Sequence, residues 1–260
     1  MTPGARPPRA TGEVSLERAL SKLGIASRAE TRRWILAGRL AVDGTVQEDP
    51  HHPVVPEKAH FTLDGRPLRG AGSGTLLFHK PRGLVTTRSD EKGRATVYDL
   101  LPEAQRHLKA VGRLDMASSG LLLFTGDNRL AAWLTDPSSG VARIYTVTVR
   151  GRVTPDELLR LESGIEDAGE MLKPRQVVLR KASGRESHLT ISLDEGRNRE
   201  IRRLMAAIGH EVILLKRVGL GGLTLQGLRP GESRELTQEE LRAAFPDAPL
   251  CSPRPARSGK

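Results

Sequence analysis

Apolar positions near the start of the chain recur at helical spacing. Leu16, Ala19, Leu20 and Leu23 share one face, and Gly24 stands where such a helix stops. Ser27 then suits an N-cap with Glu30 three positions on, so a second helix is predicted over RAETRRWILAG. Val42, Asp43, Gly44 and Val46 predict a tight hairpin immediately after it. Beyond residue 75 the pattern changes. Short runs at 76–79, 121–125, 144–149, 172–179, 188–193 and 212–218 predict strands, and 128–135, 155–162 and 198–208 predict helices. Many strands with few helices between them predict an α+β fold with a mixed, largely antiparallel sheet, not a doubly wound parallel one.

The breaks in this pattern divide the chain. Residues 1–12 and 246–260 are rich in Pro, Arg, Ala, Ser and Gly without periodicity, and a disordered arm and a disordered basic tail are expected there. Residues 64–74, with the run GRPLRGAGSG, suit a flexible linker between a small domain at 13–63 and a larger one at 75–245. No apolar run approaches the roughly 18 residues of a membrane-spanning helix, and the amino terminus has no apolar secretory segment. A cytoplasmic protein, monomeric and without a membrane partner, is expected.

Charge narrows the choice of partner. The 260 residues carry 41 Lys and Arg against 31 Asp and Glu, a formal charge of +10, which attracts polyanions. The single cysteine, Cys251, excludes an internal disulfide framework, and no histidine pair has zinc-hydrolase spacing, so no metal is expected. Aromatic residues make up 3% of the chain, so arginines and backbone groups, not an aromatic platform, must hold a nucleic acid. Arg28, Arg32, Arg33 and Arg39 make the second helix strongly basic, which fits an RNA-binding face or a solvated one.

Two segments carry candidate chemistry. In VGRLDMASSGLLLFTGD, Asp115 precedes a Ser-Ser-Gly turn and a fully apolar strand, with Arg113 two positions away. Such a carboxylate can stand at a sheet edge beside a cleft, and the position equally suits an ordinary turn aspartate. In EGRNREIRRLMAAIGH, Ile201, Leu204, Met205 and Ile208 form the buried face of a helix whose N-terminal half holds Arg199, Arg202 and Arg203. Cations at that end oppose the helix dipole unless an anion is present, which favours anion binding.

These segments carry a resemblance. SLERALSKLGIASRAETRRWILAGRLAVDGTVQ resembles the S-four-type (alpha-L) RNA-binding domain, with Asp43 in place of its usual Asn. GRLDMASSGLLLFTGD closely resembles the motif of the ribosomal RNA pseudouridine synthases that carry such a domain. HKPRGLVTT is similar to their N-K-P-x-G segment, RIYTVTVRG to their K-x-Y-x-V strand, and EGRNREIRRL to their E-G-x-N-R-Q-I-R-R-M segment, with Glu200 for Gln. The resemblance implies isomerisation of a ribosomal RNA uridine flipped into a pocket, without cofactor or metal; its motifs fit relatives acting on either ribosomal subunit, and the large subunit is favoured. It makes Asp115 the reacting carboxylate, sets Tyr145 beside the uracil ring, and pairs Arg202 with Asp115. Attack on the sugar, attack on the ring and elimination through C2' all fit. Arg113, Lys80, Arg199 and Arg203, with Arg28, Arg32 and Arg39, are expected to contact RNA. Glu200, two positions from Arg202, is expected to face away from the cleft.

Overall fold

The computed structural model describes residues 12–23, 25–56, 58–68 and 74–250, which fall into two compact units meeting in sequence at Gly74. The amino-terminal arm (except Gly12), residues 69–73 of the expected linker, and the tail from 251 lie outside the described residues. Residues 64–68 are not linker. Asp64 and Gly65 take positive φ of 51° and 75° and turn the strand Phe61–Leu63 back onto Arg66–Pro67, so the small unit extends past the expected boundary.

The small unit holds α1 (Leu16–Lys22) and α2 (Arg28–Leu36) against a four-stranded sheet. The Ser27 hydroxyl accepts the Glu30 N–H at 3.2 Å, the cap that starts α2. Asp43 and Gly44, with φ of 49° and 85°, close the expected hairpin between Leu40–Val42 and Thr45–Val46. Leu16, Ala19, Leu20, Ile35, Leu40, Val42, Val54 and Phe61 form its core.

The large unit is built on a nine-stranded sheet. Its seven main strands are β1 (Thr75–Lys80), β2 (Ser119–Thr125), β3 (Arg143–Arg150), β4 (Gln176–Ala182), β5 (Glu186–Leu193), β6 (Val212–Leu220) and β7 (Ser233–Leu236). They lie in the order β4-β5-β3-β6-β2-β1-β7. Every pairing along this path is antiparallel except β2 with β6, so the sheet is mixed and largely antiparallel as expected. The predicted strand at 172–179 is corrected. Pro174, which has no N–H to give a ladder, separates Glu170–Leu172, paired with Ile165–Asp167, from β4.

Both faces of the sheet centre are covered, which explains why β1 and β2 read as continuous apolar runs. Leu76, Phe78, Leu122 and Phe124 face a core that includes Leu161 of α4 (Pro155–Ser163) and Ile201, Leu204, Met205 and Ile208 of the α5 region (helix Glu200–Ala207), whereas Leu77, Leu121 and Leu123 face α3 (Asn128–Thr135) and α6 (Gln238–Ala244). Ala248 and Leu250 pack on the second core, so residues 246–250 belong to the fold and not to the expected tail.

The single parallel junction is tight. A Cβ on Gly120, whose φ is 115°, would lie 2.1 Å from the Arg217 carbonyl oxygen of β6. Gly120→Ala must therefore push β2 from β6 or distort the backbone. It is expected to lower unfolding stability by about 3 kcal/mol, read as a lower urea midpoint with an unchanged denaturant slope.

Candidate active site

Asp115 lies in the loop that joins the short strand Lys109–Val111 to β2, and the backbone of this loop is held at Leu114, Asp115, Met116 and Ser118. The Thr86 hydroxyl donates to the Leu114 carbonyl at 2.8 Å and accepts the Leu114 N–H at 3.3 Å. The Gly83 N–H donates to Met116 O at 2.8 Å, and the Ser118 N–H to Asp115 O at 2.9 Å. Lys80, at the end of β1, completes the clamp. Its ammonium donates to the carbonyls of Pro81, Asp115 and Ser118 at 3.0, 3.1 and 2.9 Å. With the main chain fixed, the partly buried Asp115 side chain is offered to the hollows beside it.

Lys80 does not have the role expected of it. It is fully buried and its three protons are committed to carbonyls, so it cannot reach a phosphate. Burial pulls its ammonium down to about 8, against the Asp115 carboxylate that pushes it up. Below that pH the clamp keeps all three N–H donors.

Asp115 borders two hollows. One, of about 470 Å³, is lined by Tyr145, Arg143 and Arg217 from neighbouring strands and by the 195–201 segment that leads into α5. The other, of about 560 Å³, lies against residues 85–94. Arg113, Leu114, Asp115 and Arg199 line both. Around the first hollow stand five arginines and three carboxyl groups, so its walls favour an anion. Tyr145 is cross-strand neighbour to Arg217 and is 8% exposed, its accessible part lining the hollow.

The arginines differ in what they are free to do. Arg143 donates to Val141 O, Asp194 O and Leu134 O and so anchors the start of the 195–200 segment. Arg217 gives its Nε–H to Leu121 O at 2.7 Å, and its buried Nη2 has no partner. Arg203, expected at the RNA, is corrected: it pairs with Asp167 and Glu170 and ties α5 to the 165–172 hairpin.

Arg202 and Glu200 exchange their expected places. Arg202 does not line either hollow and makes no ion pair with Asp115 within 4.0 Å; its Nη1 donates to Val212 O at 3.2 Å. It acts on Asp115 through space. Burial and the Arg199 and Arg82 charges lower its guanidinium pKa, and Asp115 raises it. Glu200, by contrast, is 3% exposed and lines the first hollow. The two-residue offset fails to turn it outward because α5 begins at Glu200, after Arg199 adopts a left-handed φ of 50°. Glu200 therefore belongs to the turn as much as to the helix.

In the small unit, Arg28 and Arg32 are exposed, and Arg32 lies 3.9 Å from Glu17. Arg39 holds Asp64 through its Nε at 3.0 and 3.2 Å and through its Nη2, a fork that closes the small sheet. The basic face expected from Arg28, Arg32 and Arg39 is thus carried by the first two.

Sequence reasoning missed Thr86, Gly83, Arg217 and the inward Glu200. A signal for the Lys80 clamp existed: a lysine ending an unbroken apolar strand and followed by proline has no solvated face to occupy. No periodicity marks Arg217 or Glu200, whose burial depends on neighbouring strands.

Known proteins resemble this chain in both of its units. Residues 74–207 match the RNA pseudouridylate synthase family and residues 15–59 match the S4 domain. An uncharacterized RNA pseudouridine synthase of Aquifex aeolicus is 34% identical over 90% of this chain and 94% of its own. The ribosomal large subunit pseudouridine synthase B of Bacillus subtilis is 34% identical over 87% of this chain and 93% of its own. That of Yersinia pestis is 38% identical over 85% and 72%. A crystal structure of a pseudouridylate synthase superposes with a TM-score of 0.62 at 24% identity, covering 88% of this chain and 98% of that one, and so shares the fold.

Lys80→Met should take one donor from each of three carbonyls near the Asp115 loop, of which Asp115 O keeps the Ser118 N–H. The expected loss is about 2–4 kcal/mol of stability, together with faster amide hydrogen exchange confined to residues 112–118. Exchange unchanged in that loop would show that Lys80 does not hold it.

Proposed function

We propose that this chain, which belongs to the RNA pseudouridylate synthase family, isomerises a specific uridine of large-subunit ribosomal RNA and uses Asp115 to do so. The carrying observation is the Asp115 carboxylate, offered from an immobilised backbone to an arginine-lined hollow that also exposes Tyr145. The ribosomal substrate is supported by the large-subunit relatives, which align over most of this chain.

The chemistry suits such a group. The C1'–N1 bond breaks, the uracil turns, and C1'–C5 forms; C5 then loses its proton and N1 holds one, so the product is an isomer with no redox change. A carboxylate beside C1' and C6 serves as nucleophile or as proton acceptor. A base inside folded RNA must leave its stack to reach it, and a hollow of about 470 Å³ has room for one. Tyr145 bounds the base, Arg113 and Arg199 guide the flanking phosphates, and Arg202 adds positive charge near Asp115 without touching it. Locking the loop beforehand removes reorganisation at the moment of reaction.

Single-turnover release of tritium from C5-labelled ribosomal RNA tests this reading. The natural protein should release tritium without shortening the RNA. Asp115→Asn should lose release by at least about 10⁴-fold at nearly unchanged RNA affinity. Release by a verified Asp115→Asn protein would remove Asp115 from the role, and cleavage would point to a nuclease.

The small unit is proposed to add affinity for the RNA backbone. Arg28→Ala with Arg32→Ala should flatten the dependence of log affinity on log salt by roughly one to two phosphate contacts. Adding Arg39→Ala should change the slope little, because Asp64 already engages that guanidinium. An unchanged slope in the double variant would exclude this face from RNA contact.

A further inference from the structure

Glu200 is a carboxyl group that the isomerisation chemistry does not use, yet it lies in the wall of the hollow. One oxygen, Oε2, accepts the Arg197 N–H at 3.1 Å, and the Glu200 N–H returns a bond to Arg197 O at 3.3 Å. This reciprocal pair closes the turn 197–200. The other oxygen, Oε1, is buried and has no partner among the described residues. The turn it closes carries Arg197, Asn198 and Arg199 along the hollow.

A carboxylate with an unpaired oxygen in such a place is costly, whereas a neutral carboxyl there resembles an amide of the same shape. The charges facing Glu200 do not remove that cost. Burial pushes the Glu200 carboxyl up to about 7 and Glu195 adds to it, against the Arg197 N–H bond and the charges of Arg197 on the same turn and Arg143 on β3, which favour ionisation. Arg197 is already held by Glu195 at 2.8 Å, and Arg143 by three backbone carbonyls. Arg217, on β6, also lines the hollow, and Arg199 begins the helix.

We infer that Glu200 is a positioning residue of this site that works as a neutral acid, closing the 197–200 turn so that Arg199 stays turned to the RNA. Ionised, it puts a charge on the unpaired buried oxygen, which opens the turn and swings Arg199 from the RNA. The resemblance places a glutamine at this position; the acid supplies the same shape and adds a proton-dependent step. The inference rests on the proposed isomerisation reading for its effect on rate, but its effect on the fold stands by itself.

The sign follows from linkage. A folded carboxyl that holds its proton to about pH 7, against the ordinary 4.5 of a free glutamate, favours the fold at acid pH. That advantage is lost as pH rises from about 4.5 through 7. Glu200→Gln keeps the Arg197 bond and removes the titration. The melting temperature of Glu200→Gln minus that of the natural protein should therefore rise between pH 5 and pH 8.5. The single-turnover rate of the natural protein relative to Glu200→Gln should fall at least about fivefold between pH 6 and pH 8.5, as a fall at saturating RNA. Taking the ratio cancels any contribution of Lys80. A constant melting difference across pH overturns the inference even if no isomerisation is detected, and parallel rate profiles overturn it even if the melting difference changes. Absence of tritium release at every pH, with the melting difference still rising, would contradict the isomerisation reading and the rate effect of Glu200 together, leaving the acid form as a property of the fold alone.

Discussion

The site depends on one buried ammonium. Lys80 ends a strand with no exposed residue, and its charge has no carboxylate partner within ion-pair distance; three backbone carbonyls take its protons instead. Two of those carbonyls belong to the loop of Asp115, so solvating the lysine internally and fixing that loop are one act. A charge removed from water requires such partners in good geometry. The loop therefore cannot relax without exposing a cation to an apolar interior. Thr86 and Gly83, in the same HKPRGLVTT stretch, hold the carbonyls Lys80 does not reach. That stretch is best understood as the other half of the Asp115 motif, about 30 residues away in sequence and hydrogen-bonded to it in space.

Around this fixed point the arginines are divided between support and display. Arg143 and Arg203 are engaged by the protein's own carbonyls and carboxylates and hold the two ends of the segment leading into and along α5. Arg113 and Arg199 stay exposed at the seam of the two hollows. The net charge of +10 is thus a poor count of RNA contacts, because several cations are structural. The same division holds in the small unit, where Asp64 takes Arg39 and leaves Arg28 and Arg32 outward.

Much of the fold was legible because it follows from local rules. The helices at 128–135 and 155–163, the Asp43-Gly44 hairpin and the Ser27 cap depend on residues within a turn of one another. The buried face of α5 was legible from its period. What escaped was long-range. The side on which Glu200 lies depends on a left-handed Arg199, and the loss of Arg203 to Asp167 and Glu170 depends on a hairpin some 35 residues earlier. Pro174 was visible as a breaker, yet the apolar residues around it suggested one strand where there are two. Asp115 itself could be read from its neighbours as a turn residue; only the motif resemblance, and then the clamp, set it apart.

The most direct measurement is a map of pseudouridines in ribosomal RNA from cells lacking this chain, complemented by the natural protein or by Asp115→Asn. The account predicts that one large-subunit pseudouridine disappears, returns with the natural protein, and stays absent with Asp115→Asn despite equal protein levels. An unchanged map in the deletion, or restoration by Asp115→Asn, would contradict it.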